Sequence, residues 1–408
     1  MRSHPHARAF FKDEDFQFGT EIALGSAYRG YADAGEVLAT AGRIEEGDAE
    51  AWVAEWTATA DGLRDAARDD DAAGRRISAC AGFRRAATYY ATALYLIAHV
   101  DDGSRRDPLW RTHRECWDRV VDLLPVPGER LEIAYEGTSL PAYFFRAPDA
   151  APGERRPLVV MNNGSDGATS QMGLAGGDAA SERGYHWMTF DGPGQQVALF
   201  ERGIPFRPDW EAVLTPVVDA MVARADVDAD RLAVIGVSQA GFWVPRALAF
   251  EHRFAAAVAD PGVVDVSTSW TDPLPGFMRA QLEDPAKQEA FDREMGWSER
   301  LSRSARAALR FRGEPYGLDT DSRFELYQEV FRYRLGDEVA DITTPLLITS
   351  PEDEQFWPGQ SQQLYDRLPG EKALVAFTAH EGANRHCEPM GLGVRERRVF
   401  DWLDARLA

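Results

Sequence analysis

A serine that follows a β-rich run is the residue of this 408-residue chain whose setting points most directly to chemistry. Residues 232–242 read LAVIGVSQAGF, an apolar run that ends in a small-x-Ser-x-small turn and continues into a helix-like segment. A sharp turn from strand to helix exposes the serine hydroxyl, and small residues such as Gly236 and Ala240 let the backbones approach closely. We therefore predict that Ser238 is a nucleophile. The competing interpretation is a serine that caps the following helix.

A serine nucleophile needs a base, and the base needs an acid that orients it. In enzymes with this strand–turn–helix arrangement the acid follows the serine along the chain and the histidine comes last. Three acids, Glu352, Asp353 and Glu354, follow the predicted strand at 346–349. We predict Asp353 as the acid, because a short loop beyond the strand lets its side chain aim at the base. Glu352 and Glu354 are the alternatives.

Two histidines follow the last predicted strand, at 373–377, and either could be the base. His380 lies three residues beyond this strand and His386 lies nine residues beyond it. Spacing alone favours His386 slightly, because the longer loop can reach back over the edge of the sheet. His380 remains the alternative at this point.

The oxyanion formed during acyl transfer needs two backbone N–H donors. One is expected from Gln239, the residue after the nucleophile. We assign the other to Ser165, in the loop NNGSDG at 162–167, whose glycines permit an unusual backbone path. Asp166 would repel an oxyanion if it faced inward, so we expect it to point away or to bind a donor group of the substrate.

The elements around these residues predict an α/β fold. Eight β-rich runs follow residue 128, first as a hairpin and then as repeated β–α units, which indicates a mostly parallel eight-stranded sheet with helices on both faces. Residues 1–127 have helical periodicity and form a predicted N-terminal helical region before a catalytic domain at 128–408. The connection after the sixth strand is too long for a plain crossover, so we predict a cap-like helical insertion at about 265–342.

Composition excludes several classes of partner. The 45 basic and 66 acidic residues give a formal charge of −21, which argues against a large basic surface for nucleic acid or anionic lipid. The three cysteines form no CxxC pair, and there is no HExxH motif, EF-hand loop or P-loop, so we predict no metal and no cofactor. With no evident secretory signal and no apolar run long enough to span a bilayer, we expect a cytoplasmic protein whose partner is a small-molecule substrate.

Aromatic residues supply candidates for the walls of a substrate pocket. Phe242 and Trp243 follow the predicted nucleophile, Trp270 lies in the insertion and Trp357 follows the acid cluster. Each of them is also an ordinary core residue by type. Asp166 is the polar candidate for the same pocket.

Several motifs together make the sequence similar to a known group of enzymes. The chain resembles the α/β-hydrolases that include 2,6-dihydroxypseudooxynicotine hydrolase, the fermentation-respiration switch esterases and polyketide-tailoring hydrolases. Two departures from the pattern are Ala240-Gly241 where many relatives have Gly-Gly, and the acidic residue in the loop NNGSDG. The matching segments, spread over nearly the whole chain, are GEVLATAGRIEEGDAEAW (35–52), FDGPGQ (190–195), GVSQAG (236–241), FEHR (250–253), PEDEQFWPGQ (351–360), EGANRHC (381–387) and VFDWLD (399–404).

This resemblance implies the α/β-hydrolase fold and a function. It places His386 on the family's catalytic histidine and Asp353 on its acid, and it implies a serine hydrolase that forms an acyl-enzyme. The implied substrate is a small or medium organic molecule, cleaved at a carboxylic ester or at a C–C bond of a ketone. The alternatives are acyl transfer or cyclisation on the same triad, and a non-catalytic protein that binds ligands. The resemblance also suggests a homodimer.

Overall fold

The computed structural model describes residues 9–100 and 104–408, except for the side chains of 303–305. Its sheet has eight strands in the order β1-β2-β4-β3-β5-β6-β7-β8. β2 pairs antiparallel with β1 and β4, and the remaining pairs are parallel. The predicted fold class is confirmed. The strands are β1 (Glu129–Tyr135), β2 (Thr138–Phe145), β3 (Arg156–Asn162), β4 (His186–Phe190), β5 (Val227–Val237), β6 (Ala256–Asp260), β7 (Leu346–Pro351) and β8 (Lys372–Phe377).

The central strands are apolar on both sides because helices cover both faces of the sheet. In β5, Leu232 and Ile235 are fully buried, and β6 is buried along its whole length. Continuous apolar runs of this kind are typical of parallel strands. Because β3, β5, β6 and β7 run parallel, their carboxyl ends lie at one edge of the sheet. The chain turns toward the predicted site at this edge.

Helices of the N-terminal region pack on one face of the sheet. The indole N–H of Trp52 donates to the carbonyl oxygen of Thr92 at 2.8 Å, which ties α3 to α4. Trp52 also belongs to the same apolar cluster as Trp187 and Ile235 of the sheet. The N-terminal helices and the sheet thus share one apolar core. The division into an N-terminal region and a catalytic domain stays a prediction. Its helices are α1 (Glu14–Gly25), α2 (Ala34–Ala41), α3 (Ala49–Ala72), α4 (Arg76–Tyr95) and α5 (Arg106–Leu123).

The connections between the parallel strands are helical. α8 and α9 pack on the face of the sheet opposite to the N-terminal helices, and α6 packs on the same face as those helices. The helices are α6 (Asp178–Glu182), α7 (Gln196–Phe200), α8 (Glu211–Val222) and α9 (Ala240–Leu248).

The long connection between β6 and β7 folds into helices that extend over the carboxyl edge of the sheet. α13 contacts the 3-10 turn Ile97–His99 of the N-terminal region, and Arg106 forms an ion pair with Glu314 at 2.5 Å. The insertion and the N-terminal helices therefore meet above the sheet edge. The helices are α10 (Thr268–Thr271), α11 (Gly276–Gln281), α12 (Gln288–Leu301), α13 (Arg303–Gly313) and α14 (Arg323–Val330).

The chain ends with α15 (Gln360–Arg367), which follows β7, and α16 (Leu392–Leu407), which packs against β5 and β6. Among the residues that the structure describes, the helices all lack either the length or the apolar character needed to cross a membrane.

Candidate active site

The turn after β5 has the geometry of a nucleophile elbow. Ser238 has a φ of 58°, a left-handed conformation that is rare for a residue other than glycine and that stores strain. The glycines beside it are required by close packing. A Cβ atom at Gly236 would lie 2.5 Å from the carbonyl oxygen of Ala240, and one at Gly241 would lie 1.8 Å from that of Pro261. The elbow therefore presents the serine hydroxyl above the sheet edge.

The side chain of Ser238 is the first member of a hydrogen-bonded row. Its Oγ lies 2.9 Å from Nε2 of His386. The other ring nitrogen of His386, Nδ1, lies 3.0 Å and 2.9 Å from the two carboxylate oxygens of Glu354. The side chains of His386 and Glu354 are each only 6% exposed. The row has the connectivity of a serine–histidine–acid triad.

Glu354, and not Asp353, is the carboxylate that contacts the histidine, which corrects the prediction of Asp353 as the acid. The carboxylate of Asp353 instead accepts a hydrogen bond of 2.6 Å from the side-chain amide of Asn384. Its backbone N–H donates to the carbonyl oxygen of Asn384 at 2.8 Å. Asp353 thus fixes the loop that leads to His386, while Glu354, one residue further, faces the imidazole.

The other two alternatives from the sequence lie outside the row. Glu352 accepts the backbone N–H of Ala379 at 2.8 Å, at the end of β8. His380 is exposed to solvent in the short helical turn that follows β8. The structure therefore brings His386, rather than His380, to the predicted nucleophile.

Burial and charge act in opposite directions on the row. Burial, the strongest influence on the imidazole, favours its neutral form, but the charge and hydrogen bond of Glu354 outweigh it and raise the pKa of His386. Burial likewise favours the neutral form of Glu354. The charge and hydrogen bond of His386, with the backbone amides of Phe356 and Trp357, outweigh it and lower the pKa of Glu354. A charged acid therefore faces a histidine that takes up a proton readily.

The side chain of Gln195 fixes the loop that follows β3. Nε2 of Gln195 donates to the carbonyl oxygens of Asn163 at 2.8 Å and Gly164 at 2.6 Å. Its Oε1 accepts the backbone N–H of Gly192 at 2.8 Å. The segment FDGPGQ is thus a turn that supports the loop beside the nucleophile.

This loop passes close to the nucleophile, as an oxyanion hole requires. A Cβ atom at Gly164 would lie 2.7 Å from Cβ and 3.2 Å from Oγ of Ser238, so only glycine fits there. Within residues 9–100 and 104–408, the backbone N–H groups of Ser165 and Gln239 donate to no acceptor. Both residues line the cavity beside Ser238. Their role as oxyanion donors stays a prediction.

A cavity of about 410 Å³ opens above Ser238, between α1, the end of α4 and the insertion. Asp166, Trp270 and Trp357, three of the predicted pocket residues, line it. Asp166 is exposed to solvent. The cavity is closed by side chains from elements far apart in sequence, including Phe18, Tyr95, Trp110, Phe311, Arg312, Tyr316 and Phe356.

Phe242 and Trp243 do not line this cavity, which corrects their prediction as pocket walls. Trp243 stacks on Trp210 with ring centroids 4.2 Å apart, and its indole N–H donates to the carbonyl oxygen of Arg207 at 3.2 Å. Phe242 packs against Tyr333. Both side chains lie on faces of α9 that point into the core rather than toward the nucleophile.

Sequence reasoning missed Phe356, Arg312 and Tyr316. The ring of Phe356 lies 4.7 Å from that of His386, and its place beside Trp357 in the acid motif is a signal that could have indicated it. Arg312 and Tyr316 belong to the insertion, where the sequence gives no sign of which side chains face the site. No group of three histidine, cysteine or carboxylate side chains in the described part of the chain is arranged to hold a metal ion.

Known proteins share both the sequence pattern and the fold. Residues 214–307 match the prolyl oligopeptidase family, Peptidase_S9. The chain is 27% identical to the hydrolase acrC of Aspergillus aculeatus over 97% of both chains. It is 26% identical to the 20-hydroxy-prefusarin hydrolase FUS2 of Gibberella moniliformis over 98% of both chains.

A solved structure shares the whole architecture. That of a 2,6-dihydroxy-pseudo-oxynicotine hydrolase superposes with a TM-score of 0.72 over 94% of this chain and 96% of that one, at 22% identity. The chain has the α/β-hydrolase fold. Relatives that match along nearly the full length of the chain are named as hydrolases, and the protein is an enzyme of the hydrolase class.

Proposed function

We propose that this α/β-hydrolase is a serine hydrolase in which Ser238 is the nucleophile, His386 the general base and Glu354 the orienting acid. The observation that carries the proposal is the continuous row of hydrogen bonds from Ser238 Oγ through both ring nitrogens of His386 to Glu354. The strained elbow and the buried, charged acid support the same assignment.

The reaction follows from this row. Nε2 of His386 accepts the proton of Ser238 Oγ as the oxygen attacks the substrate carbonyl carbon, and Glu354 stabilises the imidazolium without taking its proton. The N–H groups of Gln239 and Ser165 would stabilise the tetrahedral oxyanion. His386 then gives its proton to the leaving group, and an acyl-enzyme remains. Water, activated by His386, attacks the acyl carbon, releases the acid and restores the serine.

The cavity supports a small or medium organic molecule as the substrate. Its volume of about 410 Å³ and its aromatic walls suit a ligand of that size better than a polypeptide. The name of FUS2 indicates that this relative acts on 20-hydroxy-prefusarin, a small molecule. We extend that size class to this chain, with a carboxylic ester or the C–C bond of a ketone as the bond that is broken.

Labelling with a fluorophosphonate, followed by peptide mapping with mass spectrometry, tests the nucleophile. We expect labelling at Ser238, and we expect Ser238→Ala to abolish both labelling and turnover, because the histidine that contacts Ser238 is itself hydrogen-bonded to a buried carboxylate. Ser170 offers a matched control. It lies in the same part of the molecule, and its Oγ is 2.8 Å from Nε2 of His113.

The histidines that contact the two serines differ in the partner of their second ring nitrogen. Nδ1 of His113 is buried and has no hydrogen-bond partner in the described residues, and burial lowers the pKa of His113 to about 3. Ser170→Ala should therefore keep full labelling at Ser238. Labelling at Ser170, or turnover that survives Ser238→Ala in a clean preparation, would remove Ser238 from the mechanism.

A further inference from the structure

One wall of the cavity carries a half-buried cation. Arg312, in the last turn of α13, lies over the ring of Trp270 with its guanidinium carbon 4.4 Å from the ring centroid. Its Nη2 donates to Oγ of Ser269 at 2.9 Å, and its Nη1 donates to the carbonyl oxygen of Ser269 at 3.3 Å. These contacts hold the guanidinium against the cavity and leave further N–H groups of the fork without an acceptor in the described residues.

No carboxylate of the described residues forms an ion pair with Arg312. Asp15 and Asp166 also line the cavity, but both are exposed to solvent, and their charges reach the guanidinium from beyond ion-pair distance. Burial lowers the pKa of Arg312, although an arginine remains charged at neutral pH. A partly desolvated cation without a paired anion is costly, so an anion supplied from outside would be bound favourably.

Two further donors continue this wall toward the nucleophile. The rings of Trp270 and Tyr316 meet edge to face, 5.6 Å apart. The hydroxyl of Tyr316 lies beside the side chain of Gln239, yet neither that hydroxyl nor Nε2 of Gln239 has a partner with hydrogen-bonding geometry in the described residues. Both atoms are buried. The wall from Arg312 to Gln239 is thus rich in donors and poor in acceptors.

We propose that this wall binds an anionic, two-oxygen group of the substrate, a carboxylate or the enolate of a 1,3-dicarbonyl. Both are planar and delocalised and present two oxygens to the fork of a guanidinium. The net charge of −21 gives the protein no general attraction for anions, so selectivity for such a group would come from Arg312 itself. The inference rests on the proposed function, because the anionic group is bound in the cavity where Ser238 attacks the carbonyl.

A matched pair of esters tests the proposal. The 4-nitrophenyl monoester of glutaric acid carries a carboxylate, and its methyl ester has the same acyl chain without the charge. We expect the wild-type enzyme to prefer the charged ester in kcat/KM by roughly tenfold or more, as a charge-assisted hydrogen bond provides. Arg312→Gln should abolish that preference, because it lowers kcat/KM for the charged ester at least tenfold more than kcat/KM for the neutral ester.

Two variants guard against an indirect effect. Arg306→Gln removes an exposed arginine from the same helix and should keep the preference. Arg312→Lys keeps the positive charge without the paired N–H donors of the guanidinium, and it should keep part of the preference for the charged ester. Competition by glutarate and by the open-chain enolate of acetylacetone distinguishes the two anion types, since the better ligand inhibits the wild type and loses its effect in Arg312→Gln.

Binding measured without turnover separates this proposal from the proposed function. Calorimetric titration of the glutarate monoester into Ser238→Ala should show tighter binding than the methyl ester, and Ser238→Ala combined with Arg312→Gln should not. An equal preference with and without Arg312, or no preference in the wild type, would overturn anion binding. Ser238-dependent hydrolysis of the neutral ester in that case would leave the serine hydrolase standing.

Discussion

The charge state of His386 decides when the proposed nucleophile can react. A general base must be neutral to accept the serine proton, so protonation of His386 switches the enzyme off. Burial alone would keep the imidazole neutral down to low pH, but Glu354 outweighs burial and raises the pKa of His386 above its ordinary value of 6.5. Removal of the carboxylate charge of Glu354 leaves burial opposed by the weaker influence of the charges of Asp260 and Asp166.

The pH profile of kcat/KM follows from this balance. We expect activity in the wild type to fall as pH decreases through an ionisation above 6.5, because the protonated fraction of His386 grows there. In Glu354→Gln the midpoint of the residual activity should move to lower pH. Hydrolysis of a neutral nitrophenyl ester between pH 5 and 9 measures both. A wild-type midpoint below 6.5, or one that does not move in the variant, would show that Glu354 does not control the base.

The loop that carries His386 is held by a buried ion pair between two elements. Nε of Arg395, on α16, lies 2.6 Å from a carboxylate oxygen of Asp260 at the end of β6. The other oxygen of Asp260 accepts a hydrogen bond of 2.7 Å from Thr349 on β7. Glu388, two residues after His386, is buried beside the same arginine, and burial raises the pKa of this carboxyl group well above its usual range. The helix and the strands thus anchor the histidine loop together.

Replacement of Arg395 tests this anchor. Arg395→Met leaves Asp260 as an uncompensated buried charge, so we expect a loss of about 3–5 kcal/mol in the free energy of unfolding. Arg397→Met changes an exposed arginine on the same helix and should stay within about 0.5 kcal/mol of the wild type. Guanidinium denaturation of the three proteins gives the comparison. Equal stabilities for the two variants would rule out a structural role for the ion pair.

At the scale of the whole molecule, the sheet could be predicted and the walls of the site could not. A run of apolar residues is enough to predict a buried parallel strand, and the small residues next to Ser238 are enough to predict the turn. The identity of the acid in the triad could not be predicted in this way. Three neighbouring carboxylates have the same chemistry, and only the tertiary fold turns Asp353 toward Asn384 and Glu354 toward the histidine.

The residues that line the cavity also depend on tertiary contacts that the sequence does not reveal. Arg312 and Tyr316 reach it because the insertion docks against the turn Ile97–His99 of the N-terminal region, a contact between segments about two hundred residues apart. Trp243, which lies close to the nucleophile in sequence, packs into the core instead because of the direction of its helix face. Proximity along the chain therefore predicts the triad's order but not the pocket's lining.

The most direct test of the proposed triad compares variants of two neighbouring carboxylates, Glu354 and Asp353. We predict that Glu354→Gln lowers kcat/KM by roughly 10³- to 10⁴-fold, because the imidazole loses its orienting charge. Asp353→Asn should cost less than about tenfold, since that side chain only supports the loop through Asn384. Steady-state kinetics of both variants at one pH would decide between them. The opposite order, with Asp353→Asn nearly inactive and Glu354→Gln close to the wild type, would contradict the proposed triad.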